Sequence, residues 1–106
     1  MYLAKVIGKV WATRKEDSLS GIKFLLVQRL DINGELSGPV SVAVDRLDAG
    51  EDEIVIIVEG SSARSFLPTP SLPVDAAVIG ILDMEEMRKH HLFSKLEKAD
   101  ERKHSK

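Results

Sequence analysis

The stretch that decides the fold reads Ile54-Val55-Ile56-Ile57-Val58, an unbroken run of β-branched residues in the middle of the chain. β-branched side chains pack well on the pleated surface of a strand and are less favourable in helices. We therefore predict a strand here that is apolar on both of its faces. The polar segment Asp48-Ala49-Gly50-Glu51-Asp52 precedes the run and predicts a turn leading into it.

The segment from Tyr2 to Thr13 predicts a first strand through its period-two pattern. One face is small and apolar, which suits the interior of a tight barrel, and the other mixes apolar bulk with lysine, as a partly covered outer face does. Gly8 predicts a bend or bulge. The inner set is Ala4, Val6, Gly8, Val10 and Ala12, and the outer set is Leu3, Lys5, Ile7, Lys9 and Trp11.

Three more strands are predicted in addition to these two. The run Phe24-Leu25-Leu26-Val27 indicates a second strand within 22–31, and a turn follows at 31–35, where Asn33-Gly34 tolerates positive φ. Gly38-Pro39 is expected to end this connection before a third strand begins at Val40. The segment from Val74 to Leu82 predicts the fifth strand. In the third strand, Val40, Val42 and Val44 alternate with Ser41, Ala43 and Asp45.

Five short strands joined by turns predict an all-β fold, a small OB-like β-barrel. The second, fourth and fifth strands are apolar on both faces, whereas a solitary antiparallel barrel turns a polar face to water. Contact between subunits is the simplest explanation for these strands. The alternative is that a C-terminal helix of the same chain covers part of the barrel.

The C-terminal segment 84–106 differs in pattern from the barrel segment 1–83. Asp83 is placed to cap a helix, with Glu86 at the third helical position, and the helix is expected to extend to about residue 98. A polar, charged tail follows it. The loose apolar stripe of this helix comprises Met84, Met87, Leu92 and Leu96.

Composition excludes several classes of function. The chain has no cysteine, so disulfides and thiolate chemistry are excluded, and we expect a protein of the reducing cytosol. Segment 1–83 carries 8 basic and 12 acidic side chains, and this acidic balance disfavours binding to phosphate backbones. No stretch approaches the roughly 20 apolar residues of a membrane helix, so no membrane partner is expected.

Residues that carry chemistry do not converge in this sequence. His90, His91 and His104 all lie in the C-terminal segment, and the paired acids occur in turns and at a helix start, where solvation and capping explain them. We therefore predict no catalytic residues, no metal site and no cofactor, and hence no enzyme.

The motif Gly60-Ser61-Ser62-Ala63-Arg64 predicts a short helical turn capped by a serine hydroxyl. Its N–H groups, hydroxyls and guanidinium also suit a small anion, but it lacks the spacing of a P-loop, so we favour a structural role. Single-stranded nucleic-acid binding, the obvious role of an OB-like barrel, is the other alternative. The dispersed aromatic residues argue against it.

Four segments resemble one known family in order. They are Met1 to Thr13, Val44-Asp45 with Ala49-Gly50, Val58 to Arg64 and Pro73 to Asp83. The set resembles the pentameric microcompartment vertex family, which includes shell proteins of ethanolamine-utilisation compartments and carboxysomes. The resemblance covers residues 1–83 and leaves the charged tail unmatched.

The resemblance implies an OB-like barrel that forms a homopentamer and caps a vertex of a bacterial microcompartment. Such a protein lies in the shell, in the bacterial cytoplasm, beside hexameric shell proteins. We expect the motif residues Gly60, Ser61, Ser62 and Arg64, together with Trp11, to lie at the contact between subunits. The helical stripe from Met84 to Leu96 is expected to pack on a neighbouring subunit or shell tile.

Overall fold

A computed structural model of the chain describes residues 1–10, 21–67 and 74–89. The described part contains five strands, one 3₁₀ helix and one short α-helix. In chain order these are β1 (Tyr2–Lys9), β2 (Phe24–Leu30), β3 (Leu36–Val44), β4 (Ile54–Glu59), the 3₁₀ helix (Gly60–Phe66), β5 (Ala76–Ile81) and α1 (Met84–Lys89).

The five strands form a closed barrel in the order β1-β2-β3-β5-β4, which confirms the predicted fold class. Most neighbouring strands pair antiparallel, and β1 bridges β2 and β4. The parallel pairing of β3 with β5 closes the barrel and rests on one residue pair, Val44 with Ala77. Segment 36–43 of β3 therefore pairs with β2 but not with β5.

Gly8 lies at a β-bulge, as its position in the first strand predicted. Val6 pairs with Val27 and Gly8 pairs with Leu26, so the register shifts by one residue between the two pairs. A bulge bends its strand and increases the local twist. This irregularity helps β1 to curve between its two neighbours.

The interior of the barrel holds the main hydrophobic core. Apart from Leu25, its side chains are small or β-branched, which suits the narrow lumen of a five-stranded barrel. Ala4 and Val6 belong to it, so the inner face predicted for the first strand is confirmed for these two residues. The prediction is wrong for Gly8 and Val10, because the bulge shifts Gly8 into a row with Leu26 on the outside of the barrel and Val10 packs against the second cluster described below. The buried members are Ala4, Val6, Leu25, Val27, Ala43, Ala49, Val55, Ile57, Ala76 and Val78.

A second apolar cluster lies on the outer face of the barrel under the 3₁₀ helix. Phe24, Val44, Ala77 and Val58 form one row of paired residues across four strands. The helix covers this row with Ala63, which is fully buried, and Leu67 follows directly after the helix. We call Phe24, Val44, Val58, Ala63, Leu67 and Ala77 the covered cluster.

A third cluster lies under α1 and tests the role predicted for the C-terminal helix. Met84 is buried against Leu30 and Ile54 of its own barrel, with Met87 partly buried beside it. The prediction that this stripe packs on a neighbouring subunit is therefore wrong for Met84, and self-coverage by the C-terminal helix, the alternative explanation, holds here. Leu92 and Leu96 lie outside the described residues.

Three local predictions concern one turn and two helix caps; two of them are wrong and one is confirmed. Gly38-Pro39 does not end the connection before the third strand but lies inside β3. In the β2–β3 ladder, the pair Gln28–Val40 is followed directly by the pair Leu30–Leu36, so residues 37–39 form an irregularity. Proline is tolerated there because its position does not require a backbone N–H for the ladder. The 3₁₀ helix begins after Glu59 without a side-chain cap, so no serine caps it. Asp83 does cap α1, accepting the N–H of Glu86 at 3.0 Å.

Candidate functional site

The motif Gly60-Ser61-Ser62-Ala63-Arg64 forms most of the 3₁₀ helix. Gly60 has a φ of +66°, a conformation that side chains rarely adopt, and its N–H donates to the carbonyl of Asp75 at 2.8 Å. Ala63 anchors the segment in the covered cluster. Because the segment is held at its start and its middle, its other side chains project outward.

Four of the predicted contact residues therefore lie on one exposed segment. Gly60, Ser61, Ser62 and Arg64 are all solvent-exposed in the protomer. The fifth, Trp11, lies outside the described residues. Exposed hydroxyls and a guanidinium on a rigid turn suit hydrogen bonding to another surface.

Arg29, Tyr2 and Glu59 form a polar cluster at one mouth of the barrel that the sequence did not predict. The guanidinium of Arg29 lies 4.0 Å from the centre of the Tyr2 ring, and its Nη2 lies 3.8 Å from Oε1 of Glu59. Burial and the nearby Glu59 carboxylate raise the pKa of Tyr2 above its ordinary value, while Arg29 opposes them. The cluster lines a cavity of about 340 Å³ together with Ser37 and Ser41.

A charged network fixes the loop that follows β3. The side chain of Asp45 is fully buried and accepts N–H groups from Leu47 at 2.9 Å and from Ala49 at 2.8 Å. Its Oδ2 also lies 3.3 Å from Nζ of Lys23. A buried carboxylate with three partners holds Ala49 in the main core and so anchors the first part of loop 45–53 to the barrel.

Lys23 also binds the exposed Asp48, which has a φ of +59°, with 2.8 Å between Nζ and Oδ1. The hydrogen bond to Asp48 raises the pKa of Lys23, with smaller contributions from Asp45, and burial opposes them. The same hydrogen bond lowers the pKa of Asp48. Asp45 was missed as an anchor, although an aspartate beside a turn predicts such N–H bonds.

The described part of the chain holds neither a candidate metal site nor an aromatic stacking platform. Residues 1–10, 21–67 and 74–89 hold no group of three histidine or acidic side chains close enough for a metal ion. Their aromatic side chains do not form a stacking platform either, since Phe24 is buried and Tyr2 lies under Arg29, which leaves Phe66 as the single exposed aromatic residue among them. No helix among these residues is long and apolar enough to cross a membrane.

Comparison with known proteins identifies the family of this barrel. The model of the family described as "Ethanolamine utilisation protein EutN/carboxysome" matches residues 1–83. The chain belongs to the EutN/CcmL family. The family match stops at Asp83, so it covers the whole barrel and leaves α1 and the tail outside.

Relatives within the EutN/CcmL family carry consistent descriptions. The chain is 42% identical over 95 residues to the carboxysome shell vertex protein CcmL of Thermosynechococcus vestitus, which covers 90% of this chain and 96% of that protein. It is 49% identical over 86 residues to the bacterial microcompartment shell vertex protein GrpN of Rhodospirillum rubrum, covering 81% of this chain and 97% of GrpN. Both relatives are shell vertex proteins, so the chain matches nearly the full length of proteins with that role.

A solved structure extends the comparison to the fold. The pentameric microcompartment shell protein GrpN from Rhodospirillum rubrum superposes with a TM-score of 0.69 at 49% identity, over 78% of this chain and 94% of GrpN. The CcmL structure from Nostoc sp. PCC 7120 gives a TM-score of 0.73 at 48% identity, over 78% and 88% of the two chains. The barrel described above is thus the barrel of this family.

Proposed function

We propose that this chain is a structural shell protein whose five copies form a ring at a vertex of a bacterial microcompartment. The observation that carries the proposal is the match to GrpN, a pentameric shell protein, over 94% of the GrpN chain. The vertex role follows from the shell vertex relatives, whose length the chain matches almost completely.

Ring formation gives this protein its function through geometry. A heterologous interface generates a closed ring when its rotation matches the symmetry, and a fivefold ring inserted among hexagonal tiles introduces curvature. The proposed partners are therefore other copies of this chain and hexameric shell proteins. Its proposed place is the shell of a microcompartment in the bacterial cytoplasm.

The proposed role is non-catalytic and requires no cofactor. Its chemistry is that of surfaces, and the relatives are described as shell proteins. The barrel interior supports this view, because it is filled by the side chains of the main core. We keep residues 84–106 as a separate C-terminal segment, whose role beyond Met84 stays a prediction.

The exposed motif Gly60, Ser61, Ser62 and Arg64 is proposed, with Trp11, to lie at the contact between subunits. Support for the motif comes from its exposure and from its rigid attachment to the covered cluster. If Arg64 anchors the contact, the ring of the Arg64→Ala variant should dissociate at a higher protein concentration than the wild-type ring. An unchanged dissociation profile, with an intact barrel, would remove Arg64 from the proposed set.

Native mass spectrometry tests the ring, and co-expression tests the vertex. We expect a particle of five times the chain mass of 11.7 kDa. Co-expression with hexameric shell proteins should give closed particles, whereas the hexameric proteins alone should give open sheets or tubes. A protein that stays monomeric or dimeric at all concentrations contradicts the proposal.

A further inference from the structure

The outer face of β3 is divided into a covered part and an uncovered part. Val40, Val42 and Val44 point to the same side of the sheet, since side chains alternate along a strand. Val44 is only 1% exposed because it lies in the covered cluster, but Val42 is 45% exposed and Val40 is 48% exposed. Within the described chain, the 3₁₀ helix covers this row only as far as Val44.

The uncovered part extends sideways onto β2. Leu26 pairs with Val42 and Gln28 pairs with Val40, so these four side chains form two adjacent rows on the outside of the barrel. We call Leu26, Val40 and Val42 the valine strip. Gly8 continues the row beyond Leu26 and adds no side chain to cover it.

The valine strip is uncharged, and a charge lies at its border. Neither of its two rows contains an acidic or basic residue on β2 or β3, but the Gln28 row continues on β1 with Lys5, a buried lysine whose Nζ lies 4.0 Å from Oδ1 of Asp52. The carboxylate of Glu51 lies 3.6 Å from the position that a Cβ of Gly8 would occupy, at the end of the Leu26 row. An apolar centre with a charged rim is the composition of a protein interface, and it offers nothing to a nucleic-acid backbone.

The structure indicates which partner suits this strip. Its apolar rows need a partner surface that is also uncharged, because burying an unpaired charge against them costs free energy. The chain itself presents uncharged groups in the exposed serines of the 3₁₀ helix and in Phe66, which is 46% exposed, and one positive charge beside them in the exposed Arg64. A second copy of this chain therefore offers Phe66 to the apolar rows and the cation of Arg64 to the Glu51 carboxylate at their border.

We infer that the valine strip is one side of the contact between neighbouring copies in the ring. This inference rests on the proposed function, which requires each copy to bury part of its surface against the next. Rings of identical copies use two different faces per copy, and the strip provides one of them. The 3₁₀ helix of the same chain covers Val44, and the neighbouring copy covers Val42 and Val40.

Single-thiol labelling tests this inference directly, because the chain contains no cysteine. The Val42→Cys variant introduces a thiol of similar size on the strip. The matched control is Ile32→Cys, at the 85% exposed tip of the β2–β3 hairpin. In the assembled ring, we expect the thiol at position 42 to react at least about tenfold more slowly than in the diluted monomer, with the control unchanged. Equal labelling rates of the position 42 thiol in ring and monomer would overturn the inference.

Charge substitution provides a second measurement. The double variant Val40→Asp, Val42→Asp should lose the five-chain mass, because two carboxylates would be buried in an apolar contact. Ile32→Asp, which adds a charge outside the strip, should keep the ring. The circular dichroism spectrum of the dissociated variant must match that of the wild-type barrel. If the double variant does not fold, the labelling of the Val42→Cys variant is the measurement that tests the inference.

The outcomes separate this inference from the proposed function. If the wild-type protein is not a pentamer, the proposed function fails. If the wild type and the double variant are both pentamers, the ring stands and the strip is not part of its contact. If the double variant remains a pentamer but no longer enters shells, the strip binds a shell tile, and the assignment to a second copy is overturned.

Discussion

Val44 and Val42 lie two residues apart on the same face of β3, yet one is buried and the other is half-exposed. The difference comes from the 3₁₀ helix, which covers Val44 with Ala63 and ends before it reaches Val42. A five-stranded barrel of this size has a narrow interior, so much of its apolar surface lies outside the lumen. An apolar residue on the outside of the barrel therefore stabilises the protomer only where a short segment, such as the 3₁₀ helix, covers it.

The largest expected effect tests the covered cluster. Phe24→Ala removes a buried ring from this cluster and should lower the free energy of unfolding by about 3 kcal/mol. Phe66→Ala makes the same substitution at an exposed position of the 3₁₀ helix and should change it by less than about 0.5 kcal/mol. Urea denaturation measures both values at a concentration where the protein is monomeric. Similar losses in the two variants would contradict the division between covered and uncovered surface.

Met84→Ala tests the second covering element, α1. Met84 is buried against Leu30 and Ile54, so its truncation should lower the free energy of unfolding by about 2 kcal/mol. Glu85→Ala, on the exposed side of the same helix, is the control and should cost less than about 0.5 kcal/mol. An effect no larger for Met84→Ala than for its control would mean that α1 does not stabilise the barrel.

Val44→Ala and Val42→Ala sharpen the comparison within one strand. In the monomer, Val44→Ala should cost about 1.5 kcal/mol, since two methyl groups are removed from a packed site. Val42→Ala should cost less than about 0.5 kcal/mol in the monomer. In the assembled ring, the Val42→Ala variant should dissociate more readily than Val44→Ala, so the ranking of the two variants reverses between the assays.

The smallest effect concerns the loop that follows the covered end of β3. The pKa of Asp48 is lower in the folded state than its ordinary value of 3.8, so its ion pair with Lys23 stabilises the protein above that pH and is lost as the pH falls below it. The pKa of Lys23 is raised above 10.5, so the same pair is also lost as the pH rises through the folded-state value. Asp48→Asn should therefore remove a small part of the acid dependence of the unfolding midpoint.

The control for this titration is Glu51→Gln, which changes an exposed carboxylate of the same loop. Its unfolding midpoint should depend on acid pH as that of the wild type does. If the unfolding midpoint of the Asp48→Asn variant depends on acid pH as that of the wild type does, the ion pair between Lys23 and the exposed Asp48 does not contribute measurably to stability.

Strand positions were predictable from the sequence because they depend on local alternation. The β-branched run from Ile54 to Val58 and the bulge at Gly8 both lie where expected. Pro39 was misplaced because its compatibility with a strand depends on which N–H groups the neighbouring strand uses. A serine cap was expected on composition, but the 3₁₀ helix starts after Glu59 without one.

The candidate site was less predictable, because it depends on contacts that are distant in sequence. Apolar residues on both faces of a strand indicate that something covers them, and the pattern does not distinguish a partner from the same chain. In this protein, α1 covers Ile54 and the 3₁₀ helix covers Val58. The pairing of Arg29 with Tyr2 and Glu59 likewise joins three segments that only the fold brings together.

Pro39 has a consequence for the protomer before it assembles. Among the described residues, segment 36–43 has one edge that pairs with no strand, and an unpaired edge beside an apolar strip favours sheet extension and aggregation. Proline has no N–H to donate, and the irregularity around it interrupts the regular ladder that an incoming strand needs. We therefore expect Pro39 to disfavour strand addition at this edge, while the side chains of the neighbouring strip stay exposed for ordered assembly.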